Sequence, residues 1–370
     1  MTLFDGITSR VIDTDRLAVG ILERADDDPA TPAERTLVLL HGNLSSSLIW
    51  QELMQDLPSD IRVIAVDLRG FGTTEHAPID ATRGVRDFSD DLHAVLTTLG
   101  VPVAHLLGWA LGGAVAMQYA LDHPVLSLTL QAPVSPYGFG GTRRDGTRLT
   151  DDDAGCGAGV ANPDFVQRLI DHDTTDEAST SPRAVFRAQF VAEGYTSPLE
   201  DVWVEAMLTT STAAGNYPGD TVTSPHWPGF GAGGIGVLNA LAPKFFDTSS
   251  IVDLAGKPPV LWIHGTADAV VSDTSFCDLN HLGAVGVIEG WPGADTAPAQ
   301  EMVSQTRDVL AAYRDAGGDV AELELEGVGH TPHLERPAAV RRALLSRIGY
   351  LGNPASPAPP TEAIIISSSD

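Results

Sequence analysis

Short apolar runs recur along the chain, separated by turn residues or by stretches with helical periodicity. Each run has the length and composition of a buried strand, and several precede a segment that suits a helix. The runs predicted as strands are residues 10–13, 17–22, 36–40, 61–66, 104–107, 126–131, 259–264 and 321–325. We expect the first two to pair antiparallel. The later alternation of strand and helix predicts an α/β fold with a mostly parallel sheet, covered on both faces by helices.

This alternation stops at Pro133 and returns only near Pro259. The intervening segment is rich in turn residues. Its helical patterns are short and are predicted near residues 164–171, 181–192 and 199–208. A second, smaller insertion spans residues 277–297 and precedes a helix predicted over 300–316.

The composition also changes after Tyr350, where Pro and Ser become frequent. Such a segment is expected to be loosely held. We therefore predict one elaborated domain in three parts, with no internal repeat. They are a core formed by residues 1–135 and 251–351, an insertion over 136–250, and a tail over 352–370.

The most informative motif lies between the strand predicted at 104–107 and the Ala-rich helical segment 114–121. It reads Gly108-Trp109-Ala110-Leu111-Gly112-Gly113. A strand that turns sharply through small residues into a helix is the setting of the nucleophile elbow, G-x-S-x-G. Glycines are needed there because the tight backbone leaves no room for side chains. The chain keeps glycine at 108 and 112, but Ala110 stands where the motif has serine.

Other predicted strands also end in segments that carry chemistry. The strand at 36–40 leads into His41-Gly42-Asn43-Leu44, and the strand at 259–264 into Gly265-Thr266-Ala267-Asp268. The last strand leads into Gly327-Val328-Gly329-His330, followed by Glu335-Arg336-Pro337. A further turn of the form D-x-R-G-x-G, residues 67–72, closes the strand at 61–66, and we interpret it as structural.

These segments, in this order, resemble the α/β-hydrolase family, whose triad follows the chain as nucleophile, acid and histidine. The resemblance covers residues 39–337 and implies a serine hydrolase with a large inserted lid over residues 136–250. It implies Asp268 as the acid, His330 as the general base and Ala110 at the position of the nucleophile. The backbone amides of Asn43 and Leu111 would then form the oxyanion hole.

Several other residues admit a functional interpretation. His41 precedes the elbow, so bracing the oxyanion loop suits it better than acting as the base. His333 could replace His330 or pair with it at a metal, but Pro332 argues against one helix presenting both. The glycine run 231–236 fits G-x-G-x-x-G but lacks the preceding strand that dinucleotide binding requires. We therefore expect neither a metal nor a cofactor.

Ala110 leaves the activity of this chain open. Removal of a triad nucleophile costs on the order of a million-fold in turnover, while binding and the oxyanion hole survive. An abandoned site tends to lose its acid and base as well, and Asp268 and His330 are both retained. This favours a deliberate Ser→Ala replacement in an ester or lactone hydrolase. A natural, non-catalytic ligand-binding protein and a carbon–carbon bond hydrolase are the alternatives.

The substrate is expected to be bulky and apolar, because the lid is large and rich in aromatic residues. The side chains predicted to contact it are Trp109, Trp203, Trp227 and Phe230. The organisation of elbow and lid also resembles hydrolases of macrocyclic lactones such as zearalenone. Some of those place the acid after the strand that follows the elbow helix. Residues 132–135 contain no carboxylate here, so Asp268 is favoured.

Composition narrows the partners. The formal net charge is −27, and such a surface repels phosphate backbones and anionic lipid, so we expect neither nucleic acid nor a membrane as partner. Two cysteines are too few for a disulfide framework and fit a reducing compartment. With no signal peptide or membrane span apparent, the sequence predicts a cytoplasmic protein that binds a small ester or lactone. The sequence leaves open whether the protein forms a homodimer.

Overall fold

A single eight-stranded sheet organises residues 1–350, which the computed structural model describes. Its strands run in the order β1-β2-β4-β3-β5-β6-β9-β10, and β7 pairs with β8 in a separate antiparallel hairpin. Only β1–β2 and β2–β4 are antiparallel in the large sheet. The strands are β1 (Ile7–Asp13), β2 (Ala18–Arg24), β3 (Thr36–Leu40), β4 (Arg62–Val66), β5 (His105–Trp109), β6 (Ser127–Gln131), β7 (Thr221–Thr223), β8 (Phe230–Ala232), β9 (Val260–Gly265) and β10 (Val320–Leu325).

The central strands are buried on both faces. Every residue of β3, β4, β5, β6 and β9 is buried, although successive side chains point to opposite sides of a sheet. Continuous apolar runs are the sequence signature of such strands. The predicted α/β fold with a mostly parallel, doubly covered sheet is confirmed.

Ten α-helices accompany these strands within residues 1–350. Proline occupies the first turn of α4, α5, α9 and α10, where its missing N–H costs nothing. The helices are α1 (Gln51–Asp56), α2 (Arg86–Thr98), α3 (Leu111–Asp122), α4 (Pro163–Ile170), α5 (Pro182–Val185), α6 (Glu200–Leu208), α7 (Leu279–Ala284), α8 (Met302–Asp315), α9 (Pro332–Glu335) and α10 (Pro337–Arg347). None of the helices described is long and apolar enough to cross a bilayer.

The chain between β6 and β9, residues 132–259, is here called the inserted segment. It contains α4, α5, α6 and the β7–β8 hairpin. The helix expected over 181–192 is shorter and divided, because α5 passes into a π-helical turn at Phe186–Phe190. The predicted division into core and lid stays a prediction, and the tail predicted over 352–370 lies outside the described residues.

Candidate active site

The backbone at Ala110 has the geometry of a strand-to-helix elbow. β5 ends at Trp109, α3 begins at Leu111, and Ala110 between them has φ 52° and ψ −112°. Added Cβ atoms at Gly108 and Gly112 would overlap the carbonyl oxygens of Gly112 and Leu40, respectively. The two glycines are therefore required by close backbone approach. The turn is also tied to the sheet, since the Ala110 amide donates to the Gln131 carbonyl at 3.0 Å.

Asp268 and His330 meet as a buried pair. The His330 Nδ1 lies 2.8 Å from Asp268 Oδ2, and their residues are only 2% and 6% exposed. The other carboxylate oxygen, Oδ1, accepts hydrogen bonds from the amides of Val270 and Val271 at 2.7 and 2.9 Å. These contacts fix the carboxylate and engage Nδ1, which leaves Nε2 as the ring nitrogen for proton transfer. The structure thus brings together the acid and base that the sequence predicts.

Trp109 joins three parts of this site without lining its cavity. Its indole Nε1 donates to the carbonyl oxygen of His330 at 2.8 Å, which connects the elbow to the histidine loop. An added Cβ at Gly42 would come within 2.9 Å of the Trp109 ring, and Phe190 packs edge-on at 5.6 Å. Trp109 is fully buried in this packing. Trp109 therefore connects the elbow to the His330 loop, and its predicted contact with substrate stays a prediction.

The predicted oxyanion-hole residues border the same cavity as Ala110 and His330. Asn43 lies in the loop after β3, and Leu111 is the first residue of α3. Within residues 1–350 neither backbone amide donates a hydrogen bond to the protein. The amide of a first helical residue is also at the positive end of the helix dipole. Both N–H groups are therefore available to an anionic oxygen.

His41 braces the oxyanion loop. Its Nδ1 lies 2.7 Å from its neighbour's carbonyl at Gly42, and its Nε2 accepts from the amide of Leu68 at 2.9 Å. Burial lowers the pKa of His41, although the nearby Asp67 opposes this shift. Asp67 in turn accepts from the amides of Ser47 and Thr73, which orders the turn at residues 67–72. These are structural contacts.

His333 lies behind the triad rather than in the cavity. Its Nδ1 is 2.6 Å from Gln131 Nε2, and its ring packs against that of Trp50 at 4.3 Å. Burial and the neighbouring His330 lower the pKa of His333 to about 3, so its imidazole is neutral at physiological pH. It therefore offers no substitute for His330.

The cavity over Ala110 has a volume of about 420 Å³. Its walls come from the elbow, the inserted segment and the second insertion after Asp268. Much of the lining is apolar or aromatic: Leu44, Val134, Phe139, Val160, Phe165, Val185, Phe190, Tyr217, Leu238, Leu241, Val270, Val271, Phe276, Leu279 and Leu282. Phe276 both lines the cavity and is 58% exposed, which places it where the cavity meets solvent.

Trp203, Trp227 and Phe230 are not among the cavity-lining residues within 1–350, and their predicted contact with substrate stays a prediction. Trp203 is 2% exposed and packs against Phe186 and Tyr195 beneath the surface of the inserted segment. Trp227 instead donates from Nε1 to the Glu289 carbonyl at 2.9 Å. Phe230 belongs to β8 and would be overlapped by a side chain at Gly159. The inserted segment contributes other residues to the cavity, such as Phe165. The short helical pattern at 164–171 did not indicate which side chains would face the cavity.

A cluster of potential metal ligands lies across β9 and β10. His264 Nε2 is 2.9 Å from Glu322 Oε1 and 3.7 Å from Glu324 Oε2. Arg307 donates to both carboxylates at 2.8 and 3.2 Å and lies over the ring of Trp262. Because the guanidinium already supplies the cation, the cluster is an ion-pair network on the sheet edge.

Comparisons with known proteins agree with this fold. The family model of the alpha/beta hydrolase fold matches residues 35–280. RutD from Variovorax paradoxus carries the provisional name carbamate hydrolase. It is 42% identical over 103 residues, which cover 27% of this chain and 38% of the RutD chain. A fluoroacetate dehalogenase from Burkholderia sp. is 30% identical over 140 residues, 36% of this chain and 44% of its own. The chain thus spans less than half the length of these relatives.

A solved structure extends the likeness over the fold. The esterase from Rhodococcus sp. superposes with a TM-score of 0.54 at 21% identity, covering 94% of this chain and 100% of that one. At this identity the likeness concerns the fold alone. Since the family model matches more than half of the sequence, the chain belongs to the α/β-hydrolase family.

Proposed function

We propose that this chain carries the machinery of a hydrolase that cleaves neutral, bulky carboxylic esters or lactones, and that Ala110 holds it in an inactive form that binds substrate. One observation supports this most strongly. The Asp268–His330 pair, the strained elbow at Ala110 and the free amides of Asn43 and Leu111 all meet at one cavity. Acyl transfer needs a nucleophile position, a base, its orienting acid and an oxyanion site together.

With serine at position 110, the chemistry follows from this arrangement. The hydroxyl oxygen would attack the acyl carbon while His330 Nε2 takes its proton. Asp268 would hold the imidazole in the required tautomer and stabilise the imidazolium, and the two amides would bind the oxyanion. His330 would then return the proton to the leaving alcohol, and a water activated by His330 would release the acid.

Alanine removes the attacking atom and little else. The acid, base and oxyanion donors remain paired or available, and the methyl group of Ala110 borders the cavity. Loss of a triad nucleophile costs about a million-fold in turnover. An ester should therefore bind to this chain and persist.

The cavity supports the choice of substrate. Its volume lies within the range of pockets for drug-sized ligands, roughly 300–1,000 Å³, and suits a bulky ester or a macrolactone such as zearalenone. No lysine or arginine lines it in the part of the chain that the structure describes. Its lining carboxylate Asp278 is buried and accepts from the amides of Asn280 and Gln300. A substrate carboxylate would find no counter-charge there, so neutral molecules are favoured.

The relative named fluoroacetate dehalogenase supports dehalogenation as a second candidate function. Dehalogenation would require an aspartate nucleophile at position 110, so the two chemistries are separated by the residue that restores activity. Ala110→Ser and Ala110→Asp proteins should be assayed with neutral aryl esters, zearalenone, a carboxylate-bearing aryl ester and fluoroacetate.

We expect the serine form alone to hydrolyse the neutral esters, and addition of His330→Ala to abolish that activity. Asp268→Asn in the serine form should reduce turnover by about 10⁴-fold because the histidine loses its orienting acid. Release of fluoride from fluoroacetate by the Ala110→Asp protein, with no ester hydrolysis by the Ala110→Ser protein, would assign dehalogenation. A folded serine form that binds esters but hydrolyses none would assign a ligand-binding protein.

A further inference from the structure

Tyr217 presents an unpaired hydroxyl to the cavity. The residue is 5% exposed and lines the cavity. Its hydroxyl makes no hydrogen bond to the protein within residues 1–350. Other buried tyrosines differ in this respect. The hydroxyl of Tyr313, for example, donates to the Pro258 carbonyl at 2.7 Å. The Tyr217 hydroxyl is therefore free to bond a molecule that occupies the cavity.

The tyrosine is held firmly in this position. Its amide donates to the carbonyl of Ser211 at 3.0 Å, and the preceding Asn216 donates from Nδ2 to the Ala77 carbonyl at 3.1 Å. Its ring meets that of Phe165 edge-on at 6.5 Å. The hydroxyl therefore cannot turn aside to find another partner without disturbing the packing around it.

The chemistry of the group makes it a hydrogen-bond donor. Burial raises the pKa of Tyr217, and the adjacent Cys277 raises it further, so the phenol stays protonated. A neutral phenol can donate a hydrogen bond to an uncharged oxygen, such as a ketone, ester or ether oxygen. No lysine or arginine lines the cavity within residues 1–350, and this favours an uncharged acceptor over an anionic one.

We infer that Tyr217 is a specificity-determining residue, whose hydroxyl donates a hydrogen bond to a second, uncharged oxygen of the substrate. This inference rests on the proposed function, in which the scissile carbonyl oxygen is held by the amides of Asn43 and Leu111. The substrate class is thereby narrowed to neutral esters or lactones that carry a further oxygen acceptor. A site built to bond such an oxygen rejects the analogue that lacks it.

Calorimetric binding to the protein with Ala110 in place tests this without any turnover. The probes are two pairs of neutral diaryl esters that differ only by oxygen against CH₂. One pair is para-acetylphenyl and para-isopropenylphenyl benzoate, and the other carries the same two groups on the benzoyl ring. In at least one pair we expect the acetyl compound to bind roughly three- to tenfold more tightly. Tyr217→Phe should remove the difference.

Tyr313→Phe is the matched control, because its hydroxyl is buried and bonded away from the cavity; it should leave the ratio unchanged. Circular dichroism verifies the fold of each variant. Equal binding of both members of each pair, no binding of any probe, or a ratio that survives Tyr217→Phe would each overturn the inference. Failure of the hydrolase proposal is distinct, since it would appear as absent turnover in the Ala110→Ser protein.

Discussion

Ala110 has a backbone conformation that residues other than glycine adopt only at an energetic cost. Its φ of 52° and ψ of −112° fall in a sparsely populated region, where a residue stores on the order of 1–3 kcal/mol. The surrounding hydrogen bonds impose it, since the Ala110 carbonyl accepts from Gly113 and Ala114 at 3.0 and 3.2 Å. The strain has a use only if the side chain at 110 must be presented to the cavity.

Ala110→Gly should therefore raise the free energy of unfolding by about 1 kcal/mol, because glycine adopts positive φ without strain. Urea denaturation measures the change. Ala114→Gly in the regular part of α3 is the control, and it should lower stability because glycine weakens a helix interior. Equal or lower stability of the Ala110→Gly protein would show that the elbow is not strained.

At the scale of elements, the inserted segment is fastened to the histidine loop. The Glu335 carboxylate accepts from the amides of Gly329 and Ala192, each at 3.0 Å. The Thr331 hydroxyl donates to the carbonyl of Phe190 at 2.9 Å. Since Phe190 lines the cavity, these hydrogen bonds connect the loop that carries His330 to one wall of the cavity.

Glu335→Gln leaves a single acceptor oxygen for these two amides. Hydrogen–deuterium exchange at Ala192 or Gly329 should then become roughly five- to tenfold faster, as one buried hydrogen bond is lost. Glu193→Gln makes the same chemical change at an exposed residue of the inserted segment, where exchange should not alter. Unchanged protection in the Glu335→Gln protein would mean that the segment is held elsewhere.

The elements differ in how far the sequence predicts them. The strands of the large sheet were predictable because buried parallel strands read as continuous apolar runs. The loops after β3, β5, β9 and β10 meet because parallel strands carry their carboxyl ends to one edge. The inserted segment has no such rule. Trp203 and Tyr217 are both buried aromatic residues, but only tertiary packing decides that Tyr217 alone faces the cavity.

For the whole molecule, buried neutral histidines make stability depend on pH. The pKa of His333 falls from its ordinary value of 6.5 to about 3 in the folded chain, mainly through burial. Between these values the unfolded chain binds a proton that the folded chain does not. Stability is therefore fully present above about pH 6.5 and is lost as pH falls towards 3.

The lowered pKa of His333 alone should reduce the free energy of unfolding by about 2 kcal/mol at pH 5, relative to neutral pH. His333→Gln, which retains a polar partner for Gln131, should show a correspondingly smaller loss between pH 7 and pH 5 in denaturation experiments. His76→Gln, at an exposed histidine, should follow the parent protein. Equal losses of stability in the two variants would show that His333 is not the group that titrates.

We propose position 110 as the nucleophile site of a complete acyl-transfer apparatus. Intact-mass spectrometry of the Ala110→Ser protein treated with a neutral fluorophosphonate tests this most directly. We predict one stoichiometric adduct at residue 110, none on the protein with Ala110, and greatly slowed labelling when His330→Ala is added. A folded Ala110→Ser protein that forms no adduct, or one equally reactive without His330, would show that these residues do not form a nucleophile and its base.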